Sequence, residues 1–297
     1  MDASQPRRVE HQQTDKGYVP VYTTAVVDQP WDSYSADDHA TWSTLYQRQR
    51  ELMVGRACQE FLDAQDQMGM NARQIPRFEQ INEVLGAATG WTLVGVEGLL
   101  PELEFFDHLA NRRFPVTWWI RRPDQIDYIA EPDMFHDLFG HVPLLMNPVF
   151  ADYMEAYGRG GVKAHAIGPE ALQNLTRLYW YTVEFGLINT ADGLRIYGAG
   201  IVSSKGESLY SLESPAPNLI GFDLERIMRT RYRIDTFQKT YFVIDSFEQL
   251  MQATAPDFTT IYAGLADQPQ LPAGQVQADD RVFQRGNGEG WASGGDV

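Results

Sequence analysis

The sequence predicts a mainly α-helical protein that carries a small β-sheet and forms one catalytic-sized domain. Apolar residues recur at helical spacing over most of the chain, and only short segments rich in β-favouring residues interrupt them. No Ser/Gly-rich linker and no internal repeat divides the 297 residues. We therefore expect a polar N-terminal arm over residues 1–30, the main domain over 31–264 and a polar C-terminal tail over 265–297.

The first half of the chain predicts helices separated by two short strands. Ser35 is a favourable N-cap, Gly55 interrupts the first helical pattern, and Gly90 is a typical helix end. Helices are predicted over residues 35–68, as one helix or two, over 77–90 and over 101–114, and strands over 91–98 and 115–121.

The second half predicts further helices around a few strands. Asn147 is a favourable N-cap, Gly158 is expected to end the helix that Asn147 begins, and Pro169 suits the first turn of the next helix. Helices are predicted over residues 131–140, 147–158, 169–188, 222–232 and 246–255, and short strands over 194–200, 207–214 and 239–246.

Charge and composition exclude several classes of partner. The net charge of −16 repels nucleic acid phosphates and anionic membrane surfaces. No apolar run approaches the roughly 20 residues that a membrane helix needs, and the N-terminus lacks the apolar region of a secretory signal. The single cysteine, Cys58, cannot form an internal disulfide or a cysteine-rich zinc site. A cytoplasmic protein is expected, and any metal must be held by His, Asp and Glu.

The segment EPDMFHDLFGHVP, residues 131–143, contains two histidines that could share a metal. On an uninterrupted α-helix, residues five apart are rotated by roughly 140°, so His136 and His141 would not converge. A break of the helix at Gly140 would remove this objection. The alternative is that His141 caps its helix by hydrogen bonding and that His136 is an ordinary surface or core residue.

A third ligand is predicted in LYWYTVEFGLI, residues 178–188, where Glu184 is the only carboxylate in an aromatic and aliphatic helix. A buried carboxylate needs a proton, a cation or a metal. Arg177 could supply a structural ion pair, which is the alternative to ligation. Two histidines and one carboxylate are typical of non-haem Fe(II) enzymes. Zincin, zinc-ribbon and nucleotide-binding motifs do not occur, and YGAGIVSS is better explained by a tight backbone approach.

Four motifs together resemble the aromatic amino acid hydroxylases, and especially the short bacterial members of that family. They are VEGLLPELEFFDHLANRRFPVTWWIR, EPDMFHDLFGHVPLL, LYWYTVEFGL and YGAGIVSSKGESLY. The resemblance extends from about Trp31 to Ala263. It implies a mostly helical domain with a small sheet, Fe(II) bound by His136, His141 and Glu184, and a tetrahydropterin such as tetrahydrobiopterin as co-substrate.

The resemblance also assigns residues to the two organic molecules. On the pterin side, it implies ring stacking by Phe105 and contacts from Val96, Gly98, Leu100 and Tyr179. On the substrate side, it implies that Arg121 holds the amino acid carboxylate, that Trp180 and Phe185 wall the aromatic pocket, and that Ser203 lies near the carboxylate and an iron ligand. The sequence departs from many animal members at Asp137, which replaces a glutamate, and at Ile129, which replaces a threonine.

The implied activity is the hydroxylation of L-phenylalanine by O2 to give L-tyrosine, with O2, phenylalanine and the tetrahydropterin as the only partners. The alternatives are the same chemistry on tyrosine or tryptophan, or a protein of this fold that binds a ligand or metal without turnover. The resemblance also implies a monomer, because the regulatory domain and the heptads of the tetramerisation helix of animal members are absent from the sequence.

Overall fold

A computed structural model describes residues 10–14, 17–21, 26–127, 129 and 131–291 of the protein. Its α-helices are α1 (Ala36–Met53), α2 (Gln59–Gln67), α3 (Phe78–Thr89), α4 (Glu102–Ala110), α5 (Pro148–Ile167), α6 (Pro169–Tyr179), α7 (Ala199–Val202), α8 (Lys205–Glu213), α9 (Leu224–Arg229), α10 (Phe247–Thr254) and α11 (Thr259–Leu265). Two π-helical turns, His136–His141 and Trp180–Glu184, lie between these helices. The mainly helical fold class that the sequence predicts is confirmed.

The strands form three small sheets. They are β1 (Glu10–Thr14), β2 (Gly17–Val21), β3 (Thr92–Val96), β4 (Arg113–Thr117), β5 (Leu187–Thr190), β6 (Gly193–Ile196), β7 (Asn218–Gly221), β8 (Thr240–Ile244) and β9 (Val282–Gln284). β1 and β2 form an antiparallel hairpin, β3 and β4 pair in parallel, and the third sheet has the order β6-β5-β8-β7-β9. In this third sheet, β5, β8 and β7 run parallel, while β6 and β9 are antiparallel edges.

The predicted helix signals hold at most positions. The pattern from Ser35 onward forms two helices, α1 and α2, which are separated at Gly55. The Ser35 side chain accepts a hydrogen bond from the amide of Asp38, and the Asp38 carboxylate accepts one from the amide of Ser35. This reciprocal pair satisfies two amides that the first turn of a helix leaves unpaired. Gly90 ends α3 in the left-handed conformation, with φ of 75°.

The prediction that Gly158 ends its helix is wrong, because α5 continues to Ile167. The glycines of α5 serve close packing. A Cβ atom at Gly158 would lie 2.3 Å from the amide nitrogen of Ala110 at the end of α4. A Cβ atom at Gly161 would lie 2.1 Å from the Phe106 ring. Because neither glycine carries a side chain, α4 and α5 can approach each other closely along this face.

We expect Gly161→Ala to lower the free energy of unfolding by about 1–3 kcal/mol, because the new methyl group would push the buried Phe106 ring out of its position. Gly160→Ala is the matched control, since no atom lies within 4 Å of a Cβ atom at that neighbouring position. Alanine favours the helix, so the control should gain up to about 1 kcal/mol. Chemical denaturation of both variants measures the difference, and equal stabilities would contradict the packing role.

The predicted strand over residues 207–214 is also wrong, because this segment lies in α8. Leucine and tyrosine are mixed there with serine and glutamate, and such a short mixed run does not distinguish a strand from a helix. The buried residues of α8 are nevertheless the polar ones, Glu207, Ser208 and Ser211. The Ser208 hydroxyl lies 2.7 Å from the carbonyl oxygens of Ile201 and Ser204. These polar side chains form their hydrogen bonds inside the fold, so polarity in this segment did not indicate exposure to solvent.

The segment that the sequence assigns to the C-terminal tail contributes strand β9 and an aromatic contact. After β9, the amide of Gly286 donates to Asn218 Oδ1 over 2.9 Å, and the amide of Asn287 donates to the carbonyl of Pro215 over 3.0 Å. The Trp291 ring packs on Gly274, where a Cβ atom would lie 2.3 Å from it.

None of the helices in the described ranges combines the length and the apolar character that a bilayer crossing requires.

Candidate metal centre and its two cavities

The two π-helical turns bring the three predicted ligands together. One side-chain nitrogen each from His136 and His141 and one carboxylate oxygen of Glu184 all lie within 4.8 Å of one another. In the first turn, the amide of Val142 donates to the carbonyl of Asp137, five residues earlier. This wider winding places residues five apart on the same side of the helix. The histidines therefore converge without a break in the helix.

The predicted helix break at Gly140 is accordingly wrong. Gly140 lies inside the π-helical turn, and a Cβ atom there would be 2.9 Å from the Ala199 carbonyl oxygen. The residue allows α7 to pack against the turn. The tight backbone approach expected in YGAGIVSS is present, because a Cβ atom at Gly198 would lie 2.4 Å from the carbonyl oxygen of Glu184. Both glycines allow the two π-helical turns to lie close to α7.

The distances within the set show that the three side chains face one another. His141 Nε2 lies 3.0 Å from His136 Nε2 and 3.1 Å from Glu184 Oε1, so it faces the other two groups. His136 Nε2 lies 3.7 Å from Glu184 Oε2. The proposed alternative partner, Arg177, instead donates to the carbonyl oxygen of Met228 over 3.2 Å and to the Asn174 side chain. Glu184 is therefore held by the imidazoles.

Hydrogen bonds outside the set fix the tautomer of His136. The Ser203 hydroxyl donates to the carbonyl of Ala199 over 2.7 Å, so its oxygen is left to accept from Nδ1–H of His136 over 2.9 Å. The lone pair of His136 is then on Nε2, which faces Glu184. Burial lowers the pKa of His136 to about 4, so the imidazole is neutral at pH 7, as a metal ligand must be.

The donor set fits Fe(II). Two imidazole nitrogens and one carboxylate converge from two neighbouring turns, which is the set that non-haem Fe(II) enzymes use with open coordination positions. Ser203 supports one imidazole from outside the set, as outer hydrogen-bond partners of metal ligands generally do. Burial would raise the pKa of Glu184, but the facing His141 and His136 outweigh it and keep the pKa below its usual value. Glu184 is therefore anionic and available to a cation.

A first cavity of about 260 Å³ lies on one side of the three ligands. Its surface is mainly apolar, and all five predicted pterin contacts line it: Val96, Gly98, Leu100, Phe105 and Tyr179. The Phe105 ring packs edge-on against Tyr179 at a centroid distance of 5.6 Å. Asp137 also lines this cavity and accepts from the amide of Thr117 over 2.8 Å. Burial raises the pKa of Asp137 to about 7.

A second cavity of about 850 Å³ lies on the other side of the ligands. All four predicted substrate residues line it: Arg121, Trp180, Phe185 and Ser203. Ile129, the second departure from the family pattern, lines it as well. His136 and Glu184 line both cavities, together with Leu99 and Pro132. The candidate metal centre therefore forms part of the wall that separates two ligand-sized spaces.

Sequence reasoning missed the partner that orients Arg121. Asp133 accepts two hydrogen bonds from the Arg121 guanidinium, from Nε over 2.9 Å and from Nη2 over 2.8 Å, and both side chains are buried. Asp133 also accepts from the amide of His136 over 3.1 Å. From the sequence, Asp133 is only an acidic residue at the start of a short helix, where it suits the positive end of the helix dipole. One signal for the role of Asp133 was present in the sequence. Asp133 lies three residues before His136, in a segment rich in apolar residues, where a carboxylate needs a partner.

The second cavity also has walls that no motif indicated. They come from α8, from the segment over residues 234–238 and from the C-terminal tail, and include Glu207, Tyr210, Phe237, Gln238 and Trp291. Glu207 is buried, and its Oε1 accepts from the hydroxyl of Tyr241 and, over 3.1 Å, from the amide of Gln238. Burial raises the pKa of Glu207 to about 7 despite these hydrogen bonds.

Glu207 is expected to make the protein less stable as the pH rises toward 8. In the native state Glu207 keeps its proton up to about pH 7, whereas in the unfolded chain it loses the proton near pH 4.5. Its contribution to the free energy of unfolding is therefore complete below pH 4.5 and is lost as the pH rises through about 7. This corresponds to roughly 3 kcal/mol. In Glu207→Gln, which keeps the acceptor oxygen, this loss should be absent. Denaturant titrations from pH 5 to 8 measure the difference, and parallel pH profiles for the two proteins would refute it.

Comparison with known proteins gives close matches over most of the chain. Residues 21–261 match the family model described as biopterin-dependent aromatic amino acid hydroxylase. The phenylalanine-4-hydroxylase of Chromobacterium violaceum is 65% identical over 269 residues, which cover 91% of this chain and 90% of that protein. Among solved structures, the Fe(III)-bound form of that hydroxylase has a TM-score of 0.84 at 65% identity, covering 87% of this chain and 93% of the other. Its iron- and phenylalanine-bound form has a TM-score of 0.83 at 64% identity, with the same coverage.

Proposed function

The chain belongs to the biopterin-dependent aromatic amino acid hydroxylases, and from this membership we propose that it hydroxylates L-phenylalanine to L-tyrosine. The enzyme is a monooxygenase that uses O2, Fe(II) and a tetrahydropterin. The relatives named phenylalanine-4-hydroxylase support phenylalanine as the substrate. We further propose that His136, His141 and Glu184 hold the iron, that the first cavity takes the pterin and that the second takes phenylalanine.

One structural observation carries this assignment. The two cavities are separated by a wall in which His136 and Glu184 are exposed to both sides. A reaction that joins O2, a reduced heterocycle and an aromatic ring needs both organic molecules beside the same metal. When bound, Fe(II) and the reduced pterin supply the redox chemistry that splits O2 and delivers one oxygen atom to the ring.

The residues of the second cavity bind and orient the amino acid. Arg121 is a planar cation held in place by Asp133, which leaves the rest of its fork for a substrate carboxylate. Trp180 and Phe185 pack at a centroid distance of 4.7 Å and give the pocket its aromatic wall. Their rings exclude water from the face of Glu184 that borders the cavity, which limits side reactions at the centre.

The residues of the first cavity suit a flat heterocycle. The Phe105 ring offers a face for stacking, and the chain from Val96 to Leu100 lines the cavity beside it. Asp137 lies buried in the same cavity, where its carboxyl can accept hydrogen bonds when ionised or donate one when protonated. These groups hold and orient the pterin; the metal ligands complete the wall opposite them.

A product assay tests the proposed function. Purified, iron-loaded protein is incubated with a tetrahydropterin and with phenylalanine, tyrosine or tryptophan, and iron and pterin are omitted in turn. We expect tyrosine from phenylalanine only in the complete mixture, with O2 consumption that requires all components. Hydroxylation of tyrosine or tryptophan in preference to phenylalanine would overturn the substrate assignment, and absence of turnover with all three amino acids would overturn the proposed function.

We also propose that the enzyme acts as a monomer in the cytoplasm. Its single cysteine, Cys58, is a buried free thiol, which suits a reducing compartment. Light scattering coupled to size-exclusion chromatography measures the mass of the particle, and a mass of twice 33.7 kDa would contradict the monomer.

A further inference from the structure

Gln238 lies at the wall of the second cavity and uses its whole amide group inside the fold. The residue is 2% exposed. Its Oε1 accepts from the indole Nε1–H of Trp180 over 3.0 Å. Its Nε2 donates to the carbonyl oxygen of Arg233 over 2.8 Å. Its backbone amide donates to the buried carboxyl of Glu207 over 3.1 Å. The side chain of Gln238 therefore joins an aromatic wall residue to a loop, and its backbone amide binds a buried acid.

The Trp180 ring has few other polar constraints on its orientation. One face stacks on Tyr232, with a centroid distance of 4.3 Å and an interplanar angle of 19°. Phe185 packs against it at 4.7 Å. Stacking defines the plane of the ring but is tolerant of rotation within that plane. The hydrogen bond to Gln238 has a fixed direction, so it selects the edge of the indole that faces the cavity.

Gln238 also anchors the loop that precedes it. Ile234 and Phe237 line the second cavity although their side chains are 70% and 45% exposed, so little burial holds this part of the wall. Gln238 binds the start of the loop at Arg233 and is fixed to α8 through Glu207. Loss of these bonds would free both the loop and the indole.

We propose that Gln238 is a positioning residue that sets the selectivity for the side chain of the amino acid substrate, because it fixes the Trp180 indole and the loop over residues 233–237 against Glu207. Gln238 affects the substrate indirectly, through the positions of Trp180 and the loop. The proposal rests on the assignment of the second cavity to phenylalanine. Because a fixed indole edge limits the size of the pocket, release of Trp180 should weaken phenylalanine binding and admit the larger ring of tryptophan.

The test uses Gln238→Met, which keeps the length of the side chain, removes the side-chain hydrogen bonds to Trp180 and Arg233, and leaves the backbone bond to Glu207. We expect the KM for phenylalanine to rise about tenfold and the kcat/KM ratio of tryptophan to phenylalanine to rise about fivefold, in line with the loss of one to two buried hydrogen bonds. The KM for the tetrahydropterin should stay unchanged, because Gln238 does not line the first cavity. Steady-state kinetics with each substrate varied in turn give these values.

Gln65→Met is the matched control. Gln65 is fully buried in α2 and lines neither cavity, and its Oε1 accepts one hydrogen bond, from Arg50 over 3.5 Å, so this variant also loses a buried polar side chain. A merely structural role for Gln238 predicts that both variants lose thermal stability and that neither changes selectivity; this outcome would overturn the proposal. Wild-type protein that forms no tyrosine would instead overturn the proposed function, so the two failures are distinct.

Gln238→Glu keeps the proposal testable where the methionine variant does not fold. A buried, protonated carboxyl can accept from Trp180 and donate to the carbonyl oxygen of Arg233. We expect this variant to keep the KM for phenylalanine within about threefold of the wild type. In Trp180→Phe, which removes the donor but leaves the other bonds of Gln238, the KM and selectivity should change as in Gln238→Met. Unchanged selectivity in Trp180→Phe would also overturn the proposal.

Discussion

Glu184→Ala is expected to lose iron binding and tyrosine formation together. Glu184 supplies the only carboxylate in the three-residue donor set, and its removal leaves two imidazoles that cannot hold Fe(II) against water. Activity should fall more than about 100-fold, since loss of even an outer hydrogen-bond partner of a metal ligand costs roughly 10–100-fold. Metal analysis of the purified variant and a tyrosine assay at saturating iron measure the two effects.

Glu51→Ala is the control for this experiment. Glu51 lies on the exposed side of α1, so the same substitution there should leave iron content and activity as in the wild type. A Glu184→Ala protein that retains one iron and still forms tyrosine would show that the ligand assignment is wrong. Loss of activity with full iron content would show that Glu184 acts in some way other than by binding the metal.

Asp133→Ala is expected to cause the largest loss of stability. The Arg121–Asp133 pair is almost fully buried, with side-chain exposures of 7% and 0%. Removal of Asp133 leaves a buried guanidinium without its counter-charge, which costs about 3–5 kcal/mol. The free energy of unfolding from denaturant titration measures this loss. The KM for phenylalanine should also rise, because Arg121 is no longer held toward the cavity.

The Arg122–Asp124 pair provides the control. It has the same two-pronged geometry, with distances of 3.0 Å, but both side chains are about 70% exposed. Because water solvates both charges, Asp124→Ala should leave the melting temperature unchanged. If Asp133→Ala proves as stable as Asp124→Ala, then the buried pair does not contribute to the stability in the way its burial implies.

Residue type and expected burial were sufficient to single out His136, His141 and Glu184 as a candidate set, and the structure brings these three side chains together. A carboxylate among aromatic residues and two histidines in one short segment were unusual enough to be paired across more than forty positions. The winding of the backbone was not predictable in the same way. An extra residue in a helical turn leaves no mark on composition, so a break at Gly140 was the simpler interpretation of the spacing, whereas the structure has a π-helical turn.

Contacts between distant segments were beyond the reach of the sequence patterns. Gln238 meets Trp180 across 58 positions and Glu207 across 31, and none of the three forms a recognisable motif with another. The buried face of α8 was hidden for a related reason, because its serines and Glu207 are satisfied by partners elsewhere in the fold. The sequence pattern therefore predicted a strand where the structure has α8, a helix that lines the second cavity.

The contribution of Trp291 to the second cavity has a consequence for biosynthesis. Chains fold from the N-terminus as they leave the ribosome, so the turns that carry His136 and Glu184 are available long before β9 can join β7. A nascent chain that has not reached residue 291 contains the three proposed ligands but lacks one wall of the second cavity. The second cavity is therefore complete only after Trp291 has joined the fold.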